Sequence, residues 1–328
     1  MGRNHLRVYD NLKNTQLVGF LEIDDEAAET ALAQHDCRRF RTLEELAGEV
    51  DAVSICSPSV THEEIGLQLL RRGIHCLIEK PLATSEAACR ALIDAAEDSG
   101  AVLLVGHIER FNPAVQQVLA LLEKGAQVHA IDARRLSSIS KRIVDVDVVA
   151  DLMVHDLDIV CALVQDRVVS VRAAGVCTPG LSGRDHVTGL LCFEGGATAT
   201  VTASRITQYT VRELSVVTDR GVIAVNYMDQ SVDIYQRDTI RQSDDLAARF
   251  GDYAIDIAME RIQVRRAEPL LIELAHFIDC IKNGTSPQVT GRQAMQALKL
   301  VWQIQQRVEG GDIQGDGLER DDRGSEVA

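Results

Sequence analysis

Two stretches of the chain hold side chains able to move a proton and to face a developing negative charge. The first is Leu77-Ile78-Glu79-Lys80-Pro81-Leu82-Ala83. Its apolar run from Cys76 reads as the end of a buried strand, and Pro81 closes the ladder because proline has no N–H to give. Glu79 and Lys80 are thereby delivered to a strand's carboxyl end, where open α/β sheets keep their ligands. A lysine there binds an anion or, when burial lowers its pKa, polarises or deprotonates a hydroxyl; otherwise it is a solvated residue before a turn. The second stretch, Asp151 to Val160, reads as a helix that is apolar nearly all round and hence buried. On a 3.6-residue period Asp151, His155 and Asp158 share one stripe. A carboxylate four residues before a histidine can hold it in one tautomer, leaving the other ring nitrogen free to move a proton. The plainer alternative is a satisfied core histidine, and no third and fourth ligand suggest zinc.

The elements that must position these groups alternate. Gln16–Leu21 is a strand with Glu22 at its end, followed by a helix over Glu26–Gln34. Asp51–Cys56 is a second strand, ending in Ser57-Pro58-Ser59, and His62 begins the next helix with Thr61 as its expected N-cap. The strand ending at Lys80, a helix over Ser85–Ser99 and a strand over Ala101–Gly106 complete a β/α alternation that points to a parallel sheet. Gly106-His107-Ile108-Glu109-Arg110-Phe111-Asn112-Pro113 follows; there Arg110 suits a diphosphate or a neighbouring acid, and Asn112 suits a hydroxyl or amide. The alternation ends around residues 120–126, and β-rich segments begin at Val128. Arg134, Arg135, Lys141 and Arg142 form a basic cluster that would suit a diphosphate. Two strands flanking Glu194-Gly195-Gly196 read as a hairpin, and amphipathic helices are expected over Glu268–Asn283 and Gln293–Arg307. From Gly310 the chain is rich in Gly and acid, a composition that reads as a disordered tail.

The run Ile78-Glu79-Lys80-Pro81-Leu82-Ala83 resembles the EKPLA signature of the glucose–fructose oxidoreductase/inositol dehydrogenase (Gfo/Idh/MocA) family, and the resemblance extends to about Gln306. It implies an α/β protein: a doubly wound, Rossmann-like NAD-binding domain over residues 1–120, then an α+β domain over 121–309 with a large open, mostly antiparallel sheet for substrate and oligomer contacts. Met1-Gly2-Arg3-Asn4-His5 resembles the end of that family's dinucleotide fingerprint, with Gly2 as its third glycine. The first strand and first two glycines are missing, so we expect either that the true start lies upstream, which the rest of the chain favours, or that cofactor binding is impaired. Glu22 lies about 20 residues beyond Gly2, where an acid accepts hydrogen bonds from a ribose 2′-OH and repels a 2′-phosphate, favouring NAD over NADP. Asp24 or Asp25 are alternatives for that part. Ser57, Pro58 and His62 stand where the family has its TPNxxH segment, and with Gly2, Glu22, Glu79 and Lys80 they are the expected cofactor contacts. The resemblance makes Lys80, Asp151 and His155 the catalytic group, with His155 oriented by Asp151 as base and Lys80 on the same oxygen; the lysine and histidine roles can be exchanged. The wording around His107–Asn112 and Leu152-Met153 is similar to the branch acting on the 3-hydroxyl of nucleotide sugars, in particular UDP-N-acetylglucosamine, with Arg110, Asn112 and Arg142 expected at the substrate. Alternatives are another polyol or sugar as substrate, or a non-catalytic sugar-nucleotide binding protein.

Composition narrows the partners. With 328 residues, two domains with substantial cores are possible, and 46% hydrophobic with 25% charged residues is a globular balance. A net charge of −15 provides no basic surplus to displace counterions, which excludes nucleic acid and anionic membrane as expected partners. The eight cysteines lack C-x-x-C spacing and read as reduced core thiols of a cytoplasmic protein, with no metal site. A small sugar or nucleotide sugar and further copies of the chain, as a homo-dimer or homo-tetramer, are the expected partners.

Overall fold

In the computed structural model, residues 1–138, 147–178, 183–237 and 257–309 are described. The parallel layer is built from short strands that end in the residues singled out above. β1 (Gly19–Leu21) pairs in parallel with β2 (Arg38–Phe40), while β3 (Ala52–Ile55), β4 (His75–Glu79) and β5 (Leu103–Gly106) form a separate parallel sheet. The layer is thus divided where the resemblance places a strand preceding the first helix. β4 and β5 are buried almost throughout, the continuous apolar run expected of strands covered on both faces.

The helices between the strands show why the sequence reads as β/α units. α1 (Gly2–Asn11) starts with Met1 as an N-cap that offers no side-chain hydrogen bond. α2 (Asp25–Leu32) is capped by Asp24, whose carboxylate accepts from the Ala27 N–H, and α3 (Leu43–Ala47) is capped in the same way by Thr42. α4 (His62–Leu70) departs from expectation at its start. Thr61 gives it no side-chain cap, because its hydroxyl instead donates to Ser57 Oγ at 2.7 Å and Pro58 O at 2.8 Å. α5 (Glu86–Ser99) is capped by Ser85 and closed by Gly100 in the left-handed region at φ 72°. α6 (Pro113–Leu122) has Asn112 as its N-cap and Pro113 in its first turn.

The second sheet contains, among the described residues, eight strands in the order β13-β12-β11-β10-β6-β9-β8-β7. In chain order they are β6 (Val128–Leu136), β7 (Val168–Val176), β8 (His186–Phe193), β9 (Thr198–Ser204), β10 (Val211–Thr218), β11 (Gly221–Asn226), β12 (Ser231–Arg237) and β13 (Ile257–Ile262). All pairings are antiparallel except β6 with β9, so the sheet is open and mostly antiparallel as the resemblance implies. The hairpin around Glu194-Gly195-Gly196 forms between β8 and β9, and buried residues alternate along β9.

One face of this sheet is covered by α7 (Val154–Val164) and by the helix Gly291–Glu309. That last helix also packs on α5, and the helix Pro269–Asn283 packs on α1 and on the turn after β5, so a single apolar core runs through both layers. The tail from residue 310, Lys141 and Arg142 lie outside the described residues. No described helix is long and apolar enough to cross a membrane.

Candidate active site

Strand ends supply one wall of the site. Glu79 is the last residue of β4, is buried, and shares a 2.9 Å hydrogen bond with His5 Nε2 of α1. Its neighbour across the sheet is Gly106, and a Cβ there would fall 3.1 Å from the Glu79 carboxylate, so glycine at this position leaves room for the acid. His5, Cys56 and Glu79 bring atoms of metal-ligand type within 4.8 Å of one another. Lys80 follows Glu79 and turns towards the second half of the chain. Its Nζ donates to the backbone carbonyl of Asp151 at 2.9 Å and lies 3.4 Å from Asp151 Oδ1.

The opposite wall departs from a regular helix. Residues Val149–Met153 form a π turn, with the Val154 N–H reaching back to the Val149 carbonyl, before α7 begins at Val154. This wider turn breaks the 3.6-residue stripe on which Asp151 was expected to orient His155. Asp151 is directed to Lys80 instead, and His155 Nδ1 has no hydrogen-bond partner among the described residues. The expected Asp151–His155 pair is therefore corrected to an Asp151–Lys80 pair. Burial pushes the His155 pKa well below its ordinary 6.5, and the positive charges of Lys80 and Arg135 push the same way. His155 is thus a neutral imidazole at neutral pH.

The remaining expected residues are distributed unevenly. Glu22 stands just past β1, where its carboxylate accepts from the Asp24 N–H at 3.0 Å and its carbonyl accepts from the Arg39 guanidinium at 2.8 Å. Ser57 and Pro58 lie at the carboxyl end of β3. His62 was expected to touch the cofactor, but both its ring nitrogens face backbone carbonyls, Pro81 O and Ser57 O, each at 2.9 Å. It is a staple joining the ends of β3 and β4. Arg110 and Asn112, expected at the substrate, are likewise consumed internally. Buried Arg110 donates to Asp158 at 2.8 Å, and buried Asn112 donates to Tyr227 O at 3.1 Å while accepting from the Ala114 N–H. The reason is local: a buried arginine between the sheet end and an apolar helix must be paired, and α7 supplies Asp158 for it.

Two groups escaped the sequence reading. Arg135 on β6 is buried and held by both oxygens of Asp156, at 2.7 and 3.0 Å, and by Glu109 Oε1 at 2.9 Å. It is no free member of a basic cluster. His107, immediately after β5, is buried with neither ring nitrogen partnered. The sequence signal for it was its place directly behind the apolar run Leu103-Leu104-Val105-Gly106, which parallels the place of Lys80 behind β4.

The geometry is that of a dinucleotide layer facing a second unit, and comparison with known proteins decides the family. Residues 1–107 match the model of an oxidoreductase family with an NAD-binding Rossmann fold, and residues 129–224 match the GFO/IDH/MocA C-terminal domain. The chain belongs to the Gfo/Idh/MocA family. Its similarity to the UDP-N-acetylglucosamine 3-dehydrogenase of Acidithiobacillus ferrooxidans is 32% identity over 86% of this chain and 85% of that protein. A solved structure of UDP-N-acetylglucosamine 3-dehydrogenase from the same organism superposes with a TM-score of 0.85 at 29% identity, covering 94% of each chain. D-apiose dehydrogenase of Paraburkholderia graminis is 28% identical over 91% of this chain and 82% of that protein. A Gfo/Idh/MocA chain is an NAD-dependent oxidoreductase, and the residues present fit that cofactor. The uncapped first turn of α1 offers amide donors to a pyrophosphate, Glu22 stands at a strand end for a ribose, and Lys80 lies beside unpartnered imidazole nitrogens.

Proposed function

We propose that this protein oxidises a ring hydroxyl of a nucleotide sugar, the 3-hydroxyl of UDP-N-acetylglucosamine, to the ketone. The observation that carries this reading is the meeting of Lys80, from the end of β4, with the π turn that leads into His155. Bound NAD would supply the acceptor for the hydride that leaves the carbon carrying the alcohol. Neutral His155 removes the hydroxyl proton, and Lys80, fixed by Asp151, donates a hydrogen bond to the same oxygen as negative charge develops on it. Gly2, Glu22, Ser57, Pro58, Glu79 and Lys80 would hold the cofactor along the carboxyl ends of the strands. Residues 1–120 then form the cofactor unit and 121–309 the substrate unit. The similarity to UDP-N-acetylglucosamine 3-dehydrogenase supports the choice of substrate.

The decisive experiment follows NADH absorbance with a panel of UDP-N-acetylglucosamine, UDP-glucose, inositol and free pentoses and hexoses. Turnover confined to the nucleotide sugars is the expected result; turnover of inositol or a free sugar alone would overturn the substrate. The pH profile carries a second expectation. His155 acts as a base only when neutral, and burial holds its pKa well below 6.5. The rate kcat/KM should therefore be flat upward from about pH 6.5 until other groups titrate, with the acid limb displaced below that value. An acid limb centred at or above pH 7 would remove His155 from the role.

Glu22 offers a third expectation. Replacing it with Ser removes the acid from the strand end while Arg39 remains beside it. The ratio of kcat/KM for NAD to that for NADP should fall by about tenfold or more, a change on the order of 1.4 kcal/mol. The eight cysteines are unpaired, which fits a reducing cytoplasm. The open sheet carries half-exposed Val169, Val176 and Met259, which suit contact with a second copy of the chain in a dimer or tetramer.

A further inference from the structure

His107 is the group whose chemistry the site leaves unused. In the parallel register of β4 and β5, Glu79 lies opposite Gly106, so His107 comes one residue beyond that pair, as Lys80 does on the neighbouring strand. Its backbone is pinned: the His107 N–H donates to Val105 O at 2.7 Å, and its carbonyl accepts from the Arg110 N–H at 2.9 Å. The side chain is 1% exposed, yet neither Nδ1 nor Nε2 has a hydrogen-bond partner among the described residues. Buried polar atoms are almost always partnered, so two orphan nitrogens on one ring at the carboxyl end of a parallel sheet, where such sheets keep their ligands, call for a group from outside the chain.

The charges around the ring define what that group is. Lys80, Arg110, Asp158 and Glu79 act on His107, and His107 in turn acts on His155. Burial and the two cations outweigh the carboxylates, lowering its pKa and leaving the ring neutral. A neutral imidazole offers one N–H donor and one lone-pair acceptor. A hydroxyl offers the same two functions, and an anion or a cation satisfies only one of them. Lys80, to which the proposed function gives the reacting oxygen, acts on His107 and stands one strand away at the same level, which points to a vicinal hydroxyl.

We propose that His107 is a substrate-contacting residue whose imidazole hydrogen-bonds the sugar ring hydroxyl adjacent to the alcohol being oxidised. This rests on the nucleotide-sugar reading; for oxidation at C3 of UDP-N-acetylglucosamine the hydroxyl concerned is that on C4. The contact selects among sugars by the presence of that hydroxyl, and it needs no charge from the protein.

The test is a cycle of two enzymes and two substrates. His107→Phe keeps an aromatic ring but has no nitrogen, and the second substrate is the 4-deoxy analogue of UDP-N-acetylglucosamine. With the parent sugar, His107→Phe is expected to lower kcat/KM by about 10- to 100-fold, while on the deoxy analogue the same substitution changes it by less than about threefold. His107→Gln, which restores a donor and an acceptor, should recover part of the loss on the parent sugar only. NAD affinity, followed by quenching of the Trp302 fluorescence or by calorimetry, should change less than about twofold in both variants, which also reports an intact fold. Equal losses on both substrates would make His107 a structural residue and overturn the proposal. Loss of NAD affinity would make it a cofactor contact, and no loss at all would leave the nitrogens to water; either result overturns it as well. Should the wild-type protein not oxidise UDP-N-acetylglucosamine, the substrate reading fails by itself. The same cycle is then run on the sugar the panel identifies, with the analogue lacking the hydroxyl next to its reacting carbon, and the same outcomes decide.

Discussion

Lys80→Ala and His155→Ala should each lower kcat by at least about 10²-fold, the scale on which positioned acid–base groups act. The two losses have different origins. Lys80 is held through its ammonium by the Asp151 carbonyl at 2.9 Å, so its hydrogen bond to the developing alkoxide requires no reorganisation when the charge appears. Lys80→Arg should not rescue it, because a planar guanidinium on a longer stem cannot occupy the place of a compact ammonium held at that distance. His155 contributes proton affinity, and its Nδ1 has no partner among the described residues. Asp151→Asn leaves the backbone carbonyl in place and should cost far less than Lys80→Ala, by about tenfold at most. The double variant Lys80→Ala, His155→Ala should be little worse than either single one, since the two groups act on one oxygen. Near-wild-type rates in either single variant, measured by NADH formation with a substrate identified from the panel, would sink the mechanism.

Removing Asp156 should be the most damaging change to stability. Asp156→Ala leaves the Arg135 guanidinium buried with Glu109 as its one remaining carboxylate among the described residues, where wild type also has a bidentate partner at 2.7 and 3.0 Å. Breaking a buried pair by deleting one member costs about 3–5 kcal/mol. For a chain of this size the melting temperature should fall by on the order of 10 °C. The triple replacement Arg135→Met, Asp156→Leu, Glu109→Gln should recover most of that loss, since it removes both carboxylates with the guanidinium and buried ionic groups are exchanged for neutral ones of similar volume with little penalty. A drop of less than about 2 °C in Asp156→Ala, by differential scanning calorimetry, would show that the pair is solvated in practice.

How far the sequence disclosed all this depended on the range of the interactions. The end of β4 was legible because its signals are local: an apolar run followed by a proline that cannot continue the ladder. The caps at Asp24, Ser85 and Asn112 are equally local but were not read as caps, and the one cap that was read, Thr61, turns its hydroxyl elsewhere. The Asp151–His155–Asp158 stripe was misread because a π turn inserts into the helix without any mark in the spacing of apolar residues. For Arg110 the alternative of a neighbouring acid is the one the structure shows, and for Arg135 the partners were not named. Their partners lie 48 and 21 residues away, and no rule of periodicity assigns an arginine to one acid among several. His107 was present in the quoted run, but a buried histidine announces itself only when its nitrogens are seen to lack partners.

The ties across the cleft bear on how molecules get in and out. Arg135 on β6 reaches Glu109 in the turn after β5, Asn112 reaches Tyr227, and Arg292 reaches Glu97 at 2.8 Å. Pulling the halves apart would break the buried Arg135–Glu109 pair and the Asn112–Tyr227 bond together, so these ties oppose wide hinge opening. Exchange of sugar and coenzyme is then expected to proceed without full separation of the two halves. Release of product depends on how tightly it is gripped.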